Sequence, residues 1–138
     1  MARILVAEDD AGVRLLVTRA LRLEGHSVVA VEDGEYALER LVEDDGAYDL
    51  LLSDIRMPAM TGIELAHATH RQWPDLTILL MTGYAEQREA AEDLMRIVAG
   101  VVDKPFTLSE IRERVDAALG PRSAAAEMGE DVPLRRYG

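Results

Sequence analysis

Three consecutive leucines, Leu50-Leu51-Leu52, constrain this chain most. An apolar run with no polar alternation, bounded by turn-forming residues, suits a strand buried on both faces, as in a parallel sheet. Other short apolar runs flank it: Arg3 to Ala7, Val28 to Val31, Tyr48 to Ser53 (holding the leucines), Leu76 to Met81 and Ile97 to Val102. Between them lie segments with helical apolar spacing. The first carries Val13, Leu16, Val17, Ala20 and Leu21 and stops at Gly25. The second spans Gly34 to Glu43, and the third spans Gly62 to Trp73 before Pro74. The fourth spans Glu86 to Arg96 and is polar with a thin apolar stripe. The fifth carries Leu108, Ile111, Val115, Ala118 and Leu119. Five strand–helix units in strict alternation predict an α/β fold. Its five-stranded parallel sheet is doubly wound, with helices on both faces and right-handed crossovers.

Such sheets bind ligands at the carboxyl ends of their strands. Glu8-Asp9-Asp10 follow the first strand, Asp54 the third, Thr82 the fourth and Lys104-Pro105 the fifth. The set supplies carboxylates, a hydroxyl and an ammonium, which suits phosphoryl transfer to a carboxylate. In this reading Asp10 and Asp54 bind a hard cation directly, Asp9 acts through a coordinated water, and Lys104 and Thr82 meet phosphoryl oxygens. Singly, each residue has a plainer reading. An acid after a strand caps the next helix, and a lone aspartate or a Thr-Gly pair makes a turn. The joint pattern at four strand ends carries the inference.

With these residues in view, the chain resembles the receiver domains of bacterial two-component response regulators over about residues 2–119. The matching stretches are Ile4 to Asp10, Asp54-Ile55-Arg56-Met57-Pro58, Met81-Thr82-Gly83-Tyr84 and Lys104-Pro105-Phe106. The resemblance implies a flavodoxin-like sheet of order 2-1-3-4-5. It implies Asp54 as phosphoacceptor and Mg²⁺, with Mn²⁺ as a substitute, held by Asp9, Asp10, Asp54 and the Arg56 carbonyl. Thr82, Gly83 and Lys104 would sense the phosphoryl group. Pro58 and Gly62 would shape the loop after Asp54, with Gly62 allowing the turn into the third helix, and Pro105 would follow a cis bond. Two positions depart from the pattern: Thr61 replaces a common aspartate, and Val101 stands where many receivers carry an aromatic switch residue. Tyr84 is the alternative aromatic reporter.

The implied function is a single-domain switch or relay intermediate. It takes phosphate from the phosphohistidine of a sensor kinase or phosphotransfer protein, with no turnover beyond its own phosphorylation and dephosphorylation. Its downstream partner is a protein met through the face of helix 4, strand 5 and helix 5, and weak homodimerisation is compatible with that. Phosphatases with an aspartate nucleophile carry Asp-x-Asp after strand 1 and a cap insertion, unlike this chain. No glycine-rich phosphate cradle follows strand 1, which disfavours a nucleotide or flavin module. A structural adaptor that never takes phosphate would have no need of Asp10, Asp54, Thr82 and Lys104 together.

Length and charge agree. The 138 residues suit one domain, read as 1–119, with a tail over 120–138 expected to be flexible. The net charge of −11 disfavours nucleic acid as a direct partner. No cysteine is present, and no apolar run nears the roughly 18 residues of a membrane span. The expected location is the cytoplasm.

Overall fold

A computed structural model of the chain describes residues 1–83 and 85–128, and the side chains of all of these except 85–88 and 121–128. The five strands are β1 (Arg3–Ala7), β2 (Ser27–Val31), β3 (Leu50–Asp54), β4 (Thr77–Thr82) and β5 (Gly100–Asp103). Helices α1 (Ala11–Leu23), α2 (Gly34–Glu43), α3 (Gly62–Gln72), α4 (Ala85–Glu92) and α5 (Leu108–Met128) alternate with them. All pairings are parallel, and the order is β2-β1-β3-β4-β5. The chain therefore reverses its direction of winding between β1 and β3. Their carboxyl ends form the crevice where such sheets bind ligands.

The leucine run behaves as its pattern demands. Side chains along a strand point alternately to opposite faces. Leu50 and Leu52 enter one core with Val17, Leu21, Ile111 and Val115 from α1 and α5. Leu51 enters the other with Leu41 and Leu65 from α2 and α3. All three leucines are fully buried. A Leu→Ala change in such a core costs about 2–5 kcal/mol, because a cavity remains where the side chain was.

Boundaries differ from the expected ones where local bonding decides. β3 begins two residues later than expected and includes Asp54, which is in register with Met81. α4 ends at Glu92, not Arg96. After it, Leu94, Met95 and Ile97 each bond back three residues in tight turns, which let Leu94 and Val98 reach the core. β5 then starts only at Gly100, after Ala99 N–H bonds to Ile78 O at 2.7 Å. Gly120 breaks α5 with a left-handed φ of 59°, yet helix resumes to Met128. The expected break is present, but helix continues into the segment read as tail. Residues 129–138, the rest of that segment, lie outside the described residues, as does Tyr84.

Candidate functional site

Strand phase determines which side chains meet at the carboxyl edge. Ile4 and Val6 face the α1/α5 core, so the next residue in phase on β1 is Glu8. Its N–H still bonds to Val31 O at 3.1 Å, extending the ladder by one residue. Leu50 and Leu52 put Asp54 in the same phase, and Val102 does so for Lys104. Lys104 N–H bonds to Thr82 O at 2.7 Å, so its backbone also continues the sheet. Three side chains, from the ends of β1, β3 and β5, therefore emerge on one side of the sheet. The Lys104 ammonium lies 2.8 Å from Glu8 Oε1 and 3.1 Å from Asp54 Oδ2.

Asp9 joins them. One carboxylate oxygen from each of Glu8, Asp9 and Asp54 can be chosen so that all three lie within 4.8 Å of one another. Glu8 and Asp54 are buried and Asp9 is exposed. Three carboxylates face one ammonium, and the electrostatics register the imbalance. Burial pushes the Glu8 carboxyl up to about 7, against the hydrogen-bonding pull of Lys104 and the Asp10 N–H. Burial also raises Asp54, opposed by the charge of Lys104. Burial pulls Lys104 down, but the pairing with Glu8 and Asp54 outweighs it, so the ammonium is held above its ordinary range. Three carboxylates with one ammonium paired to two of them, an all-oxygen set at this spacing, fit a hard divalent cation such as Mg²⁺.

This corrects the expected ligand set. Asp10 does not join the cluster: it is the N-cap of α1, and its Oδ1 accepts the Val13 N–H at 3.0 Å. The plainer reading of an acid after a strand holds for Asp10. Glu8 takes the place the sequence reading assigned to Asp10. The missed signal was strand phase, since Glu8 follows Ile4 and Val6 at two-residue steps.

The other expected residues are distributed around the site. An open cleft of about 770 Å³ holds the acidic cluster and Lys104, and is also lined by Arg56, Gly83 and Pro105. Val13, Leu16 and Phe106 form an apolar lip. The bond between Lys104 and Pro105 is cis. Thr82 is buried, and its phase along β4 matches Ile78 and Leu80, toward the α2/α3/α4 core. Pro58 is exposed, and its carbonyl accepts the Met60 N–H at 2.7 Å. Ala59 between them has φ of 69°, a left-handed value in a non-glycine residue.

Gly62 is a glycine for a reason other than turn freedom. Its N–H bonds to Ile55 O at 2.8 Å, closing the loop after Asp54 at its base. An added Cβ would lie 2.1 Å from the Asp54 carbonyl oxygen. The loop thus presses directly on the end of β3, and Thr61 and Glu64 cap α3 reciprocally behind it. Val101 is buried with Ala91, Leu94 and Val98, so the expected aromatic place is filled as core.

Comparisons with known proteins agree with this arrangement. The family model for the response regulator receiver domain matches residues 4–116. The response regulator receiver protein CpdR of Brucella abortus is 39% identical over 119 residues, covering 86% of this chain and 98% of CpdR. The sensor kinase CckA of the same organism is 33% identical across 86% of this chain, which spans only 12% of CckA. Among solved structures, the response regulator TrrA of Thermotoga maritima in complex with Mg²⁺ and BeF superposes with a TM-score of 0.76. It is 33% identical and covers 86% of this chain and 99% of TrrA. No helix among the described residues is long and apolar enough to cross a membrane. In fold, carboxyl-edge chemistry and sequence, the chain belongs to the response regulator receiver domain family.

Proposed function

We propose that this chain accepts a phosphoryl group on Asp54 from a phosphohistidine of a sensor kinase or phosphotransfer protein. The observation that carries this reading is the half-buried Lys104 ammonium between buried Glu8 and Asp54, beside Asp9 and open to an adjoining cleft. An Asp54 carboxylate oxygen attacks phosphorus, the N–P bond breaks, and the imidazole leaves with the bonding pair. The product is an acyl phosphate. Glu8, Asp9 and Asp54 would hold Mg²⁺, with the Arg56 carbonyl beside them, and the cation supplies neutralisation of phosphoryl charge.

The chain's own groups do the rest. Lys104 is already 3.1 Å from Asp54 and can move its ammonium from the carboxylates to a phosphoryl oxygen. Gly83 lines the cleft beside that oxygen, and Thr82 before it, at the end of β4, would have to turn from the α2/α3/α4 core to sense it. Turnover would be limited to the chain's own acyl phosphate. Output would run through protein contact at α4, β5 and α5. Val101 is buried aliphatic core, which removes an aromatic rotamer at that position from the switch.

Acetyl phosphate with Mg²⁺, followed by intact mass, tests the reading. Wild type should gain one phosphoryl group, and Asp54→Ala should gain none. Equal labelling of both would overturn the assignment of Asp54.

A further inference from the structure

Asp9 differs from its neighbours in how it is held. Glu8 is tethered on every side: its N–H to Val31 O, its Oε2 to the Asp10 N–H at 3.0 Å, its Oε1 beside Lys104. Asp10 is tied to the start of α1. The Asp9 carboxylate makes no hydrogen bond or ion pair with any other described residue, although it belongs to the acidic cluster. Among the described residues, its backbone is what holds it in place. That backbone is entered through the Glu8–Asp9 peptide, which is planar and moves as a unit. The guanidinium of Arg14 donates through Nη1 to Glu8 O at 2.8 Å, on that peptide. Arg14 is itself fixed one turn into α1, where its N–H bonds to Asp10 O at 2.9 Å.

We propose that Arg14 is a positioning residue for the cation pocket: by clamping the Glu8 carbonyl it sets where the Asp9 carboxylate stands. The inference rests on the cation site of the proposed function. Groups that orient a metal ligand without touching the metal commonly alter affinity by about 10–100-fold when removed. A direct charge effect predicts the reverse, because removing a cation near the pocket should tighten binding. The two accounts are therefore separable by sign.

The test titrates the full chain with Mg²⁺ alone and follows the amide signals of Asp9 and Asp54 by NMR. Arg14→Ala should raise the Mg²⁺ dissociation constant by about 10-fold. Arg14→Gln keeps a helix former but loses reach, and should behave likewise if the alanine variant folds poorly. Arg14→Lys should recover most of the affinity, because one ammonium donor can meet one carbonyl. Labelling by acetyl phosphate should show the same displacement in Mg²⁺ demand, with the rate at saturating Mg²⁺ close to wild type. An unchanged or tighter dissociation constant, or a lowered Tm with no change in Mg²⁺ demand, would overturn the proposal. A wild type that binds Mg²⁺ but takes no phosphoryl group would defeat the proposed function and still leave Arg14 to be decided by titration. A wild type that binds no Mg²⁺ would defeat the cation site and this proposal together.

Discussion

The two ends of the sheet carry similar charged groups arranged to opposite effect. At the amino end, Arg3 lies 3.3 Å from Asp44 and donates to Ala47 O, and its guanidinium stacks 4.5 Å from the Tyr48 ring centre. The Arg3 N–H bonds to Asp49 Oδ2 at 2.8 Å, Arg40 pairs with Asp44 at 3.5 Å, and the Tyr48 hydroxyl donates to Asp44. Both guanidinium groups pair with Asp44, and Glu43 lies 3.9 Å from Arg40. At the carboxyl end, Glu8, Asp9 and Asp54 cluster, and among the described residues Lys104 pairs with Glu8 and Asp54. The amino-end network ties the start of β1 to the entry of β3, with each arginine paired to Asp44. The carboxyl-end cluster holds the Glu8 carboxyl at about 7 and presents oxygens to a cation. The contrast separates a polar network that supports the fold from one poised to bind.

The most severe way to probe this difference is to remove the ammonium. Lys104→Met should destabilise the cation-free protein by about 3 kcal/mol at pH 8, because buried carboxylates lose their counter-charge. The loss should shrink at pH 6, where Glu8 is protonated, and with added Mg²⁺. Urea melts at both pH values decide it, and a pH-independent loss would contradict the electrostatic account.

The pH profile is the next test. Glu8 has a folded value near 7 against 4.5 unfolded, so between those values the folded state binds more protons. Its contribution to stability is therefore lost as pH rises from about 4.5 through about 7. Asp54, also raised, acts with the same sign. Glu8→Gln should flatten the slope, as read by denaturant midpoints across that window without divalent cation. A slope unchanged by the substitution would remove Glu8 as its source.

At the amino end, Asp44→Asn should cost about 1–2 kcal/mol through weakened hydrogen bonds, with no dependence on Mg²⁺. A Mg²⁺-sensitive effect there would erase the distinction between the two ends. The smallest expected effect concerns the loop after Asp54. Ala59 holds a left-handed φ, so Ala59→Gly should stabilise by about 1 kcal/mol. Thermal melts would show a modest rise in Tm, and a fall would mean the loop needs alanine's stiffness more than relief from strain.

Much of this was legible in the chain. The leucine run announced a sheet covered on both faces, and α2 begins and ends where its pattern places it, at Gly34 and Glu43. Asp54 and Lys104 fall together because strand ends converge at the crossover. What was misread was local. Asp9-Asp10 looked like the acid pair because two aspartates are a stronger visual signal than a glutamate and an aspartate. Counting by twos from Ile4 selects Glu8, and helix capping takes Asp10. The ends of α4 and β5 eluded periodicity because the turns from 93 to 99 bury Leu94 and Val98 without helical or strand spacing. The role of Gly62 was hidden because a close approach to another segment leaves no trace in its own neighbourhood of sequence.

That close approach also bears on how natural variants of this chain should be ranked. Gly62→Ala removes no charge, no hydroxyl and no hydrogen-bond donor, and in a list of substitutions it looks mild. Yet the added methyl would collide with the carbonyl of Asp54, so the strand end or the loop must give way. A variant that is chemically inconspicuous and eight positions from the acceptor should therefore slow phosphorylation as well as lower Tm.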